Sequence, residues 1–162
     1  MFTSYGDQPF AVHQAGEVRI GMNICYDASF PEASRTLALL GAELIVLPTN
    51  WPPGALCTSQ CIVNARALEN AVYCMAVNRV GTERGVPFIG RSRIVGPNGV
   101  TLAESMGDQE EILYAEIDPA VARNKHIVHI PGKHEIDRLA DRRPEMYGQL
   151  TQSHRLPTPR AR

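Results

Sequence analysis

The stretch "VRIGMNICYDASFPEAS", residues 18–34, puts a thiol where a nucleophile would sit. An apolar run of strand length stops at Cys25 and leads through Pro31 and Glu32 into a helical pattern. A cysteine at a strand's C-terminal end, on a sharp turn into a helix, is lifted out of the core. The backbone N–H groups that follow, first that of Tyr26, can then face a developing oxyanion. The bland alternative is a small buried hydrophobe. Catalysis also needs a base within reach of the thiol. Asn50-Trp51-Pro52 follows the next strand, at the end of an open sheet where ligand crevices form, so Trp51 fits either a pocket wall or loop packing. Cys57 and Cys61 are four apart and could share a helix face. With His126, His129 and His134 they match no standard zinc spacing, and no metal is expected. Glycine-rich phosphate loops are missing, so no nucleotide or other cofactor is expected.

Several elements must position these residues. Residues 10–14 and 18–25 read as two strands turned at Ala15-Gly16-Glu17. Ser29 can cap a helix that carries Pro31 and Glu32 in its first turn and ends at Gly41. "AELIVLPTN" has the continuous apolar character of a strand covered on both faces. Thr58 or Ser59 opens a second helix, with Cys61, Ile62, Ala65, Leu68 and Val72 at helical spacing. "YCMAVNRVG" is a third buried strand, and two more flank Pro97-Asn98-Gly99. "EEILYAEIDP" reads as a further strand. Beyond residue 119 the pattern offers at most a short helix and an extended tail. Strands joined through helices imply parallel neighbours, and the appended meander makes a mixed α/β sheet. The chain reads as one domain over 1–162, with 119–162 as the tail.

Composition narrows the partners. The chain has 162 residues, a net charge of −1 and 44% hydrophobic residues. No basic patch dominates, which argues against a nucleic-acid surface. No apolar run approaches a membrane span, and "MFTSYGDQPF" lacks the form of a signal peptide. Four cysteines in apolar segments then suggest reduced thiols and a cytoplasmic location. Only Lys125 and Lys133 are lysine.

The motifs taken together resemble the nitrilase, or carbon–nitrogen hydrolase, superfamily. They are Cys25-Tyr26-Asp27, Phe30-Pro31-Glu32, Arg35, Gly41-Ala42 and Pro48, followed by Arg66-Ala67-Leu68-Glu69-Asn70 and Asn78-Arg79-Val80-Gly81. Gly90-Arg91-Ser92, Gly96-Pro97-Asn98-Gly99 and Arg142-Arg143-Pro144-Glu145-Met146-Tyr147 complete an ordered set that spans nearly the whole chain. Read from the residues alone, Arg66, Glu69, Asn70, Asn78 and Arg79 fit salt bridges and hydrogen bonds that fix their elements.

The resemblance implies an α-β-β-α sandwich, of which this chain would hold one half: a mixed sheet with helices on one face. It implies a Cys nucleophile, a Glu base and a Lys that stabilises the oxyanion. Only Cys25 maps onto this sequence; the family's Glu and Lys lie upstream, in its first half. Glu32 at a helix start suits a structural role, and nothing in the spacing brings Lys125 or Lys133 to Cys25. The Cys-Tyr-Asp context resembles amidase branches, which implies an amide or carbamoyl substrate over a nitrile. Tyr26, Asn50 and Trp51 are the expected oxyanion or substrate contacts. An uncovered apolar sheet face implies a homo-oligomer or a partner carrying the first half, and in the family the helices at 31–40 and 58–72 commonly meet a second subunit. A truncated, non-catalytic homologue acting by association is the alternative; a thiol redox protein is weaker, for want of a Cys-x-x-Cys pair.

Overall fold

The computed structural model describes residues 6–153. Strands β1 (Val12–Ala15) and β2 (Val18–Met22) form an antiparallel hairpin closed at Gly16-Glu17. Helix α1 (Pro31–Leu39) leads to β3 (Leu44–Thr49), and α2 (Val63–Asn70) leads to β4 (Tyr73–Asn78). β5 (Val80–Glu83) and β6 (Val86–Ile89) pair as a separate ribbon. β7 (Arg93–Val95) and β8 (Thr101–Glu104) return to the main sheet. Its order is β1-β2-β3-β4-β7-β8, with β2, β3 and β4 mutually parallel and the other neighbours antiparallel. This is the mixed α/β sheet that the strand–helix alternation predicts.

Helices α1 and α2 cover one face. Leu37, Ala38, Val63 and Ala67 of α1 and α2 pack on Ile45, Leu47, Cys74, Ala76 and Val95 of the sheet. The approach at β2 is close: a Cβ on Gly21 would lie 2.9 Å from Leu37 Cδ2. Gly41, at φ +90°, ends α1 in a Schellman motif: Ala42 N–H donates to Leu37 O and Gly41 N–H to Ala38 O, both at 3.0 Å. The N-terminal expectation is corrected. Phe30, not Ser29, is the N-cap residue, and no side chain caps the helix. Ser29 instead belongs to the preceding 3-10 turn (Cys25–Ser29). Before α2 the chain is already helical, with a π-type turn over Thr58–Ile62.

The opposite face is largely open. A short helix, α3 (Pro119–Arg123), and Ile117 cover Leu44 and Tyr73 at one end. Val46 and Met75 are half-buried, and Met22 and Val77 are 55% and 51% exposed.

The strand expected at "EEILYAEIDP" does not form. Leu113, Ala115 and Ile117 still alternate inward, but the segment pairs with no neighbouring strand, and Ile112 and Tyr114 stay 77% and 82% exposed. Alternation marks a half-buried extended chain; a ladder also needs an edge to bond to. Conversely, β9 (His126–Ile130) and β10 (His134–Asp137) form a hairpin inside the segment read as short helix and tail. Of the last dozen residues, 154–162 lie outside the described residues.

An ion pair ties the hairpin edge to α3. Glu43 is buried and accepts from Arg19 N–H at 2.9 Å and from Arg123 Nε at 2.5 Å. The Arg123 guanidinium and the Arg19 N–H hold its carboxyl below the ordinary carboxylate range, against the opposing effect of burial. A depressed carboxyl stabilises the fold fully above its unfolded pKa and loses that contribution as pH falls through the folded value. Urea midpoints measured from pH 7 down to pH 3 are expected to fall in the acid limb, and Glu43→Gln is expected to flatten that limb while lowering the midpoint at pH 7.

Candidate active site

Parallel register brings three strand ends together. Met22 pairs with Val46, and Thr49 with Asn78, so the segments leaving β2, β3 and β4 emerge at one edge. Cys25, Asn50-Trp51 and Arg79 lie just beyond those ends, in the region where open α/β sheets form crevices.

Cys25 opens the 3-10 turn at φ +47°, a left-handed conformation that non-glycine residues seldom adopt. The turn is locked by a reciprocal pair around it. Asp27 N–H donates to Ile24 O at 3.0 Å, and Ile24 N–H donates to Asp27 Oδ2 at 2.9 Å. Cys25 is half-buried against the helix-side core, and Ala28, three residues on, is fully buried. Tyr26 N–H lies in the first turn, where N–H groups have no intrahelical acceptor. The Tyr26 ring is 70% exposed and meets Phe30 edge-on, with centroids 5.1 Å apart.

Asn50 is exposed, whereas Trp51 is 3% exposed and sits in the same core cluster that Cys25 touches. Of its two readings, packing has the structural support. The organiser of this loop is Asn78, read from the sequence as a motif residue whose hydrogen bonds fix its own element. Its Oδ1 accepts from Trp51 N–H at 2.7 Å, its Nδ2 donates to Gly90 O at 2.6 Å, and its N–H donates to Ser92 Oγ at 2.9 Å. One buried amide thus ties the Trp51 loop to the Gly90-Arg91-Ser92 motif. Arg79 pairs with Glu83 and stacks over the Phe88 ring.

The candidate partners of the thiol are elsewhere. Glu32 is exposed in the first turn of α1. Lys125 Nζ donates to Ala71 O at 2.7 Å and Asn70 O at 3.3 Å, satisfying the last carbonyls of α2. Because α2 runs from the end of β3 back to the start of β4, Lys125 lies at the far end of the sheet from Cys25. Burial pulls its ammonium down to about 8. Lys133 lies in the β9–β10 turn, its N–H donating to Ile130 O. A groove of about 610 Å³ runs between α1 and residues 142–151, and neither Cys25, Asn50 nor Trp51 lines it. Among the described residues no group of three or more His, Cys, Asp or Glu side chains could hold a metal ion, and no helix is long and apolar enough to cross a membrane.

Comparison with known proteins gives this geometry a context. The carbon–nitrogen hydrolase family model matches residues 1–126. A nitrilase of Pyrococcus abyssi is 41% identical over 150 residues, covering 90% of this chain and 53% of that protein. N-carbamoylputrescine amidase of Arabidopsis thaliana is 33% identical over 160 residues, covering 90% and 51%. An amidase of the nitrilase superfamily from Nesterenkonia sp. AN1 superimposes with a TM-score of 0.74 at 30% identity, covering 90% of this chain and 49% of that one. Another structure of that amidase, 32% identical with a TM-score of 0.72 and covering 87% and 47%, carries the acetamide moiety of fluoroacetamide added covalently at the active site cysteine. The chain spans about half the length of these relatives.

The four thiols differ in access. Cys57 and Cys61 are exposed, Cys25 is half-buried and Cys74 is buried under the helices. Burial pushes the Cys74 thiol up to about 12, and the neighbouring Cys57 thiol raises Cys61. Alkylation needs the thiolate and a path to it. Treatment with iodoacetamide at pH 8, followed by peptide mass spectrometry, is expected to label Cys25, Cys57 and Cys61 in the native chain and to reach Cys74 only after denaturation.

Proposed function

The chain belongs to the carbon–nitrogen hydrolase family, and from that membership we propose that it is the nucleophile-bearing half of a cofactor-independent amidase acting on a non-peptide amide or carbamoyl group. The observation that carries this reading is Cys25, held at φ +47° on a turn at the end of a parallel strand. The alkylated cysteine of the Nesterenkonia amidase supports it.

In the proposed reaction the Cys25 thiolate attacks the carbonyl carbon and a C–S bond forms. The resulting oxyanion accepts from Tyr26 N–H, with Asn50 at the neighbouring strand end available to the substrate. The tetrahedral species collapses, the C–N bond breaks, and the nitrogen leaves protonated as ammonia or an amine. A water then cleaves the thioester, releases the acid and restores the thiol. A carboxylate that takes the thiol proton and a lysine that faces the oxyanion are implied by the family; in this reading they come from outside residues 1–162. The preference for amide or carbamoyl over nitrile rests on Cys25-Tyr26-Asp27, and N-carbamoylputrescine amidase is among the relatives.

The test is hydrolysis of matched amide, carbamoyl and nitrile substrates by the chain combined with the amino-terminal half of a relative. Release of ammonia or amine from the amide or carbamoyl substrate, abolished by Cys25→Ala, is the expected result, with an acyl adduct on Cys25 by mass spectrometry. Turnover that survives Cys25→Ala sinks the reading, and a strong nitrile preference overturns the substrate class.

The open sheet face supports the matching proposal about architecture and partners. Met22, Val46, Met75 and Val77 form an apolar surface beside α3, of the kind that seeks a second layer. In our reading residues 1–162 are the C-terminal portion of one hydrolase domain, and this face meets the sheet of the first half or, without it, a second copy. Light scattering on the chain alone is expected to give a mass above 17.8 kDa, with Met22→Lys plus Val77→Lys shifting it toward monomer. A wild-type monomer at all concentrations would contradict self-association.

A further inference from the structure

The Cys25 turn is held from both sides, and one of the two links is a partly buried guanidinium. Ahead of Cys25, the buried Asn23 donates from Nδ2 to Ser34 Oγ of α1 at 3.0 Å. Behind it, Arg66 of α2 donates from Nε to Ala28 O at 3.0 Å. The Arg66 side chain is 12% exposed and Ala28 2%. Arg66 Nη1 lies 3.0 Å from Glu69 Oε1, one helical turn on, so the N–H fork is divided between the turn and the carboxylate that aims it. Glu69 O in turn accepts from Arg35 Nη2 of α1 at 2.8 Å. The network therefore joins both helices to the short segment that carries the thiol.

We propose that Arg66 is a positioning residue for the Cys25 thiol, acting through the Ala28 carbonyl. The inference rests on the reading of Cys25 as nucleophile. An i, i+3 ion pair that only stiffened α2 would sit on the helix surface and contribute little. Arg66 instead spends one donor on another element, at the third residue after Cys25. A left-handed φ in a cysteine persists only while its surroundings over-determine it. Without the Nε–H donor the buried Ala28 carbonyl loses its partner. The turn can then relax toward ordinary φ, which swings Sγ away from the strand ends.

Arg66→Met keeps the apolar stem and removes every donor; Arg66→Lys returns a cation that can reach one acceptor. Hydrogen–deuterium exchange of residues 24–30 is measured in the chain, and kcat and KM in the complex with the amino-terminal half. For Arg66→Met the expectation is faster exchange of 24–30 by at least about tenfold, with β3 and β4 still protected. In the same variant kcat falls about 100-fold while KM stays within about threefold, and Arg66→Lys recovers part of both losses. Unchanged exchange at 24–30, protection lost equally across the sheet, or an unchanged kcat each overturns the proposal. If Cys25→Ala keeps its turnover, the nucleophile reading has failed, and the exchange measurement alone then decides whether Arg66 holds the turn.

Discussion

A cysteine at φ +47° is the constraint around which this edge of the sheet is arranged. A left-handed conformation costs a non-glycine residue on the order of 1–2 kcal/mol. Glycine would adopt it freely, but glycine has no thiol. The cost is offset locally and at a distance. Asp27 binds both backbone polar groups of Ile24, one through its own N–H and one through its carboxylate, and so brackets Cys25. The parallel register of β2 against β3, continued by Asn23 N–H to Val46 O, fixes where the turn begins. The Phe30 N–H on Asp27 O then hands the chain to α1, where Pro31 supplies a helical φ with no N–H to satisfy. Tyr26 and Ala28 are sorted by the same turn, one outward and one into the core.

The two faces of the sheet follow opposite rules. On the helix side, small and branched residues interdigitate: Gly21 lets Leu37 approach, and Ala38, Ala67 and Ala76 keep the layers close. On the other side, α3 covers one end and a run of large apolar residues continues past it. Polar anchors hold the covered end. Tyr73 OH exchanges hydrogen bonds with the Asp118 backbone at 3.2 Å, and Glu43 grips Arg123. The uncovered stretch runs toward the edge that carries Cys25. Met22 and Val77 stand exposed on that stretch, so the apolar surface reaches the strand ends beside the Cys25 turn.

Much of this was legible in the sequence, for identifiable reasons. The continuous apolar runs at 44–49 and 73–78 are parallel central strands, and Gly41 ends α1 through the positive φ that its position requires. The location of Cys25 followed from the break between a strand pattern and Pro31. What stayed hidden is what depends on non-local partners. The alternation at 110–118 looks like a strand, yet pairing is decided by whether an edge lies alongside. The hairpin of β9 and β10 is built on histidines and short apolar runs that carry little strand signal of their own. Ser29 is a good cap by type, but the turn that begins at Cys25 claims it and moves the helix start by one residue. Trp51 could be read two ways because composition does not tell which side of a loop is buried.

Asn78 and Arg66 carry the same lesson into the site. Each looks like a residue that steadies its own element, and each does so. Asn78 also binds Trp51 N–H and Gly90 O, and Arg66 also binds Ala28 O. A polar side chain largely withdrawn from water takes its partners where the fold brings them. In a parallel sheet the groups left unpaired by secondary structure concentrate where strands stop and helices start. Buried polar residues therefore gather at the same edge as the Cys25 turn. They satisfy the backbone of the loops that leave the sheet, and in doing so fix the distances between those loops. Satisfying buried polar groups at strand ends thus links the loops that leave the sheet, through residues of this chain alone.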